Sequence, residues 1–470
     1  MTILQGLGLA ASSLLILSAA PAQYFGRQHD DLLYFIASQA LSQGGYRLLT
    51  TPGLPPLVML TPGFPLLLLP LALFFGEWVP AYQVFCCLIL AASPWLVWAL
   101  LKKDAGSGTA CLIALHFASS PLVLSQAGTV MTEGTYTVLT LLLVAWLHER
   151  RSRPAGFLLL ALASLRPAGL SLLPAALLRP LKTKRWKEVL WLAGPALLGV
   201  AAWSAWSYSV HGAVVEAEEF VLSYGGQPAT HPVAVALDNA RFYLSTWGSC
   251  HLPPAFAEGR AALLAGAALA GLALAGLYRR LRSDVTDPGS LALLGAFAMH
   301  AVWAWQYERY LICLLPWLLW AAAAFLRTKA VPVLAALLAA QLLFHSHRFL
   351  AASPWSKPEL SETYSWIASS ATRPGSLLAS PLYVRDGYYT ARPSVPLPDT
   401  ADPGSFARLL KERRASLVLW QDRMDIGLTL DKSANLRRKV LAAGRHLEDR
   451  RFFRLVYENP REGSRVYALR

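Results

Sequence analysis

Charge is sparse in this chain of 470 residues. Asp, Glu, Lys and Arg make up 15% of it, against about a quarter of an ordinary soluble domain. Hydrophobic residues make up 55%, and the mean hydropathy is +0.40. These values exclude a soluble globular protein and imply a polytopic membrane protein. Acidic residues are the scarcer sign, 28 against 42 Lys and Arg, for a net +14. In a soluble chain that excess would suggest nucleic acid; here it suggests Lys and Arg in cytoplasmic loops. The five cysteines show no metal-ligand spacing, and Cys86-Cys87 lies inside an apolar run. That excludes a disulfide scaffold or zinc site and leaves reduced packing residues. No basic residue precedes the first apolar run, 3–20. Although Ala20-Pro21-Ala22 resembles a cleavage site, the run reads as an uncleaved first span. Internal repeats and low-complexity tracts are also missing.

Spans need about 20 apolar residues, and short basic loops set their direction. With the N-terminus inside, 22–80 forms a first outer loop, and a helix over 81–101 returns to Lys102-Lys103. Residues 109–127 go out and 133–147 return to "HERRSR". Residues 188–209 lead to a second long outer loop, 210–258, and 260–278 return to "YRRLR". Residues 289–305 go out to "QYERY", 308–326 return to "RTK", and 330–347 go out. Every strongly basic short loop then lands on one side. "TPGFPLLLLPLALFFG", 61–76, is short and proline-rich, so it reads as a juxtamembrane or partly inserted helix. The segment 154–178 has basic clusters at both ends and is too short for two spans. It reads as two short helices meeting at Arg166-Pro167, the kind of break that lines a cavity. The count is about 11 transmembrane helices.

Residues 350–470 are much richer in charge than 1–349. Strand-like runs appear there: "SLLAS", "YVRDGYY", "SLVLW", "FFRLVY" and "SRVYAL". Helical stretches, "SFARLLKERR" and "ANLRRKVLAAG", lie between them. The pattern predicts a small α/β domain in water on the outer side.

The stretch from Gln28 to Leu48 carries two adjacent carboxylates, Asp30 and Asp31, as the chain leaves the first span. Asp30, Tyr34, Ala37 and Leu41 share one helical face, and Gly44-Gly45 supply a C-cap. The pair then occupies a first helical turn, where anions are stabilised. It reads either as a solvated helix start or as a general base or metal-binding pair at the membrane surface. The topology puts Asp30, Glu133, Arg166 and Arg309 toward the same outer side. Each has a plainer reading: Glu133 as an interfacial helix start, Arg166 as a snorkelling side chain, Glu308-Arg309 as a local ion pair. His29, beside the Asp pair, reads as a non-ligand, with a metal role as the lesser alternative; His211, His231 and His251 lie in the long outer loop with no ligand spacing and read as solvated or substrate-facing. Tyr24, Tyr34, Tyr46 and Trp247 suit either sugar stacking or an interfacial aromatic belt.

Asp30-Asp31-x-x-Tyr34-x-x-Ala37-x-x-Leu41-x-x-Gly44-x-Tyr46 resembles the first outer loop of the GT-C glycosyltransferases. It looks most like the branch of protein O-mannosyltransferases and lipid A aminoarabinose transferases. "TPGFPLLLLPLALFFG" resembles that branch's juxtamembrane helix. "MTEGTYTVLTLLL" resembles its outer-side acidic element at Glu133, and "SLRPAGLSLLP" its basic turn at Arg166. "YERYLICLLPWLL" resembles its late Arg-Tyr…Pro motif, at Arg309, Tyr310 and Pro316. The set runs in order through 1–350. The resemblance implies an extracytoplasmic transfer of a sugar from a polyprenyl-phosphate carrier, with inversion, to a lipid, glycan or protein acceptor. It implies a bacterial inner membrane, with the active site and C-terminal domain facing the periplasm. Asp30 would activate the acceptor, assisted by Asp31. Arg309, Arg166 and Tyr310 would hold the carrier phosphate, and Tyr34, Tyr46 and Glu133 would meet acceptor or sugar. Such a reaction needs a base and cations for the departing phosphate, and arginine binds phosphate through a planar fork. Asp30, Asp31 and Glu133 would also supply oxygen ligands for Mg²⁺ or Mn²⁺. Asp31 and Arg166 stand where the aminoarabinose transferases carry Glu and Lys, so the substrate stays open. Rival readings are a transporter or lipid flippase, which should show repeated halves, and a membrane scaffold, which leaves the Asp pair unexplained.

Overall fold

The computed structural model describes residues 2–20, 25–26, 30–58, 60–210, 232–303, 306–345, 360–369, 377–400, 402–421, 441 and 443–470. The chain is mainly helical, with a small sheet near its C-terminus. Helix α1 (Ile3–Ala19) starts at a capping box. The Thr2 hydroxyl accepts from the Gln5 amide, and the Gln5 side chain accepts from Thr2. Helix α2 (Asp30–Ser42) ends as expected at Gly44-Gly45. The Gly45 amide donates to Ala40 and the Gly44 amide to Leu41, both at 3.0 Å, which is the Schellman pattern. Helix α3 (Gly63–Phe75) is the expected proline-bearing element.

The bundle continues with α4 (Val79–Ala105), α5 (Ser107–Ala118), the short α6 (Pro121–Leu124) and α7 (Thr132–His148). Helix α8 (Ser152–Leu165) stops at Arg166, whose backbone is extended (φ −153°, ψ 139°). The residue before a proline is driven out of the helical region, so the break at Arg166-Pro167 is local chemistry. A 3₁₀ turn, Pro167–Leu172, leads into α9 (Leu173–Lys182) and α10 (Trp186–Ser209). Within the expected outer loop 210–258 lies an 18-residue helix, α11 (Pro232–Ser249), packed along α12 (Gly259–Ser283). Helix α13 (Pro288–Val302) is separated from α14 (Leu315–Leu326) by a 3₁₀ turn, Glu308–Leu311. Arg309 therefore sits in a turn of its own. Helix α15 (Ala330–Phe344) follows a break at Arg327 (φ 54°).

Among the described residues, four stretches are long and apolar enough to cross a membrane: Val79–Ala105, Trp186–Ser209, Gly259–Ser283 and Leu315–Phe344, the last interrupted at Arg327. On α10, Leu190 and Leu198 are 71% and 72% exposed. An apolar face turned outward in this way suits lipid and not water. At one end of the bundle, charged helix termini lock together. Arg280 of α12 reaches Asp104 of α4 at 2.5 Å and Asp287 at 3.6 Å, His148 of α7 lies 3.5 Å from Asp287, and Arg179 of α9 lies 3.1 Å from Asp284. The ends of α7 and α8 carrying Glu133 and Leu165 lie at the opposite end.

After α16 (Ser361–Ser369), the C-terminal sheet contains β1 (Leu377–Ser380), β2 (Ser394–Pro396), β3 (Ala415–Gln421), β4 (Phe453–Asn459) and β5 (Ser464–Leu469), in the order β2-β1-β3-β5-β4. Strand β1 is parallel to β2 and β3, while β5 is antiparallel to β3 and β4. The run "YVRDGYY" is a helix, α17 (Tyr383–Thr390), and not a strand. Parallel neighbours need a crossover, and α17 is the crossover from β1 to β2. Helix α18 (Pro403–Glu412) matches the expected "SFARLLKERR". The stretch "ANLRRKVLAAG" lies largely outside the described residues.

The chain at the start of α3 meets the bundle closely. A Cβ on Gly63 would lie 2.5 Å from the Ser164 backbone, and the Thr61 hydroxyl donates to the Leu165 carbonyl at 3.1 Å. The start of α3 is thereby pressed onto the turn that carries Arg166. Gly63→Val should lower the thermal midpoint of the detergent-solubilised protein, at a cost of about 1–3 kcal/mol.

Candidate active site

Four sequence-predicted residues from four separate elements meet at one end of the bundle. Asp30 opens α2, Glu133 opens α7, Arg166 follows α8, and Arg309 lies in the 3₁₀ turn before α14. An Arg309 terminal nitrogen donates to Asp30 Oδ2 at 2.5 Å, and its Nε lies 2.9 Å from Glu133 Oε1. Arg166 donates to the same Glu133 oxygen at 2.5 Å. Arg309 therefore pairs across 279 residues with Asp30, well beyond the local turn. The side chains of Arg309 and Glu133 are 4% and 2% exposed, against 31% for Asp30. The two deeper groups form the floor and Asp30 faces the opening. Buried charges are tolerated only when paired in this way.

Aromatic rings complete the floor. Arg309 lies 4.0 Å above the Tyr307 ring centre, and Arg166 lies 5.1 Å above that of Tyr310. Each ring face stabilises the cation that lies over it. Tyr34, one turn along α2 from Asp30, is buried edge-to-face on Phe64 of α3 at 5.0 Å. It ties α2 to α3.

Other expectations fall elsewhere. Asp31 is 1% exposed; its oxygens accept from the Gly26 and Leu32 amides, each at 2.9 Å. It is a backbone anchor, and burial pushes its carboxyl up to about 7. Tyr46 donates to the Leu60 carbonyl at 2.9 Å and packs edgewise against Trp203 and Trp206 of α10. Trp247 is buried in the helical core. His251 is neither solvated nor open to a substrate; its Nε2 lies 2.8 Å from that of buried His116. Tyr24, His29, His211 and His231 lie outside the described residues. All five cysteines are free, four of them buried, as packing residues would be. Tyr307 was missed by sequence reasoning, since an aromatic beside two others in "YERY" carries no signal of stacking under an arginine.

The residues do not fit a divalent cation in this arrangement. Among the described residues, no group of three or more His, Cys, Asp or Glu is placed to hold a metal ion. Asp30 and Glu133 are joined by Arg309 instead, and Asp31 is committed to backbone.

No protein-family model matches the sequence, and no curated protein is similar to it in sequence. The fold is matched by solved structures. The apo ArnT from Cupriavidus metallidurans aligns at a TM-score of 0.56 and 12% identity, over 98% of this chain and 97% of that one. The Archaeoglobus fulgidus oligosaccharyltransferase AglB, with an inhibitory peptide and a dolichol-phosphate, aligns at 0.57 and 10%, over 100% and 74%. The same enzyme with Zn and sulfate aligns at 0.54 and 13%, over 98% and 73%. The chain has the GT-C fold. In this chain the break before Pro167 and the turn at Arg309 are what bring two cations to one carboxylate.

Glu133→Gln would leave two buried guanidinia sharing a neutral amide. Its unfolding free energy should fall by about 3–5 kcal/mol, read from denaturation in detergent. Asp31 gives a pH dependence. Its carboxyl titrates near 3.8 in the unfolded chain and near 7 in the folded one. The stability it contributes is full below the lower value and is lost as pH rises through the upper. Between about pH 5 and about pH 8 the thermal midpoint should fall, and Asp31→Asn should flatten that fall.

Proposed function

We propose that the protein is an integral-membrane glycosyltransferase that moves a sugar from a polyprenyl-phosphate carrier to a hydroxyl acceptor, with inversion. The observation that carries this reading is the Arg309 guanidinium, bonded to Asp30 at 2.5 Å and set 2.9 Å from the Glu133 oxygen that Arg166 also holds. A candidate base and two candidate phosphate-binding cations are contiguous, as the reaction requires. The likeness to GT-C enzymes, one of them solved with a dolichol-phosphate, supports the carrier class. The apolar outer faces of the helices support the membrane.

In this reading Asp30, at the open side of the cluster, accepts the proton of the acceptor hydroxyl. The acceptor oxygen attacks the anomeric carbon from the face opposite the phosphate. The bond from that carbon to the phosphate oxygen breaks, and its electron pair stays on the phosphate. Arg309 and Arg166 take up the new charge through planar, fork-like donors. Tyr310 stacks under Arg166 and acts on phosphate binding through it. Glu133 holds both arginines at one oxygen and meets the donor side of the site. No step is routed through a divalent ion. The sheet-bearing region and the charge cluster face the periplasm of a bacterial inner membrane, the basic helix ends face the cytoplasm, and the helices make about 11 spans. Residues 1–349 form the catalytic domain and 350–470 the outer domain. The acceptor is a lipid, glycan or protein.

Asp30→Asn should cut transfer of radiolabelled sugar from polyprenyl-phosphate donors by about 10²–10⁴-fold, with the protein still folded and membrane-inserted. Undiminished transfer would remove Asp30 from the mechanism. Arg309→Lys keeps the charge but loses the fork, and should weaken donor binding by about tenfold in a binding assay with polyprenyl phosphate.

A further inference from the structure

We propose that α17 of the sheet-bearing region is the positioning element for Asp30, acting through Phe25-Gly26 and Asp31. The proposal rests on the glycosyl-transfer reading of Asp30. Helix α17 leaves the end of β1 and meets the chain just ahead of α2. The Tyr389 hydroxyl donates to the Phe25 carbonyl, 364 residues away in sequence. The Phe25 ring is held edgewise between Tyr388 of α17, at 5.8 Å, and Phe35 of α2, at 5.2 Å. Gly26 has φ +87°, and a Cβ there would lie 3.4 Å from the Tyr389 ring and 3.5 Å from Arg385. Its amide donates to Asp31, whose other oxygen accepts from Leu32 in the first turn of α2. The chain of contacts runs from Tyr389 to Phe25, Gly26 and Asp31, and ends one residue from Asp30.

The clamp is stiff at its far end as well. Tyr389 stacks on Tyr364 of α16 at 5.3 Å and 6°. The Tyr364 hydroxyl donates to Asp386 at 2.7 Å, and Arg385 reaches Asp386 at 3.1 Å and Gln421 of β3 at 3.4 Å. A second tie, the Ser394 amide to the Thr50 carbonyl at 2.8 Å, holds β2 to the segment after α2. The hydrogen bonds shown for Asp31 both come from backbone amides, Gly26 and Leu32, and they serve placement of the helix start. Reacting groups must be held to within about 0.5 Å of the productive geometry, and a displacement of about 1 Å costs on the order of 10²-fold in rate. None of these contacts touches Arg166 or Arg309. The clamp therefore acts first on the base, and reaches Arg309 only through Asp30.

The test uses the full-length protein in lipid nanodiscs, with polyprenyl-phosphate sugars as donors and kcat separated from the donor KM. Tyr389→Phe removes one hydroxyl, and Gly26→Ala strains the turn; each should lower kcat by about tenfold or more with the donor KM unchanged. Trp366→Ala, which removes a stack on Tyr457 elsewhere in the same region, should keep kcat. The proposal is overturned if both clamp variants keep kcat, if they raise the donor KM as much as they lower kcat, or if Trp366→Ala lowers kcat equally. Asp30→Asn separates the two ideas. Full transfer by that variant sinks the reading of Asp30 itself. A dead Asp30→Asn beside normal clamp variants sinks only the positioning.

Discussion

One oxygen of Glu133 holds two guanidinia. Arg309 and Arg166 both lie against it, and Arg309 also pairs with Asp30. Positive side chains with so little exposure are stable only with close partners. The rest of the site depends on satisfying that need. Helix α7 must start at Glu133, α8 must stop at Arg166, and the turn before α14 must present Arg309. Remove the shared carboxylate and two cations are left to repel each other at the floor.

Backbone chemistry delivers those helix ends. Pro167 drives Arg166 out of the helix, and the 3₁₀ turn Pro167–Leu172 carries the chain back along α8. The close seat of Gly63 on Ser164 then fixes α3 against the same turn. Helix α2 is held between α3, through Tyr34 and Phe64, and α17, through Phe35, Phe25 and Tyr388. Its first residue is Asp30. The open side of the charge cluster is thus built from elements outside the bundle, while its floor is built from the bundle itself.

Much of this was legible in the sequence because it is local. The helical face of Asp30 and Tyr34, the Gly44-Gly45 stop, the α3 helix and the break at Arg166-Pro167 each follow from residue types within a few positions of one another. The expected grouping of Asp30, Glu133, Arg166 and Arg309 on one side came from charge in the loops, and the four form one contiguous cluster. What failed was decided by burial. Asp31 looks like its neighbour in sequence but points into the protein and binds backbone. Trp247 and His251 look like loop residues but belong to a packed helix and its end. "YVRDGYY" has strand-like composition, yet the parallel pairing of β1 and β2 requires a crossover there.

The sequence by itself determined that the chain is apolar enough for a membrane, where its helices break, and which few charges stand near the breaks. Those properties depend on composition and on short-range backbone preference. Only the tertiary structure decided which carboxylate faces the arginines and which one anchors a turn. Adjacent residues on a helix differ by about 100° in direction, so Asp30 and Asp31 were bound to part, and the packing of α2 against α3 and α17 chose which one went inward.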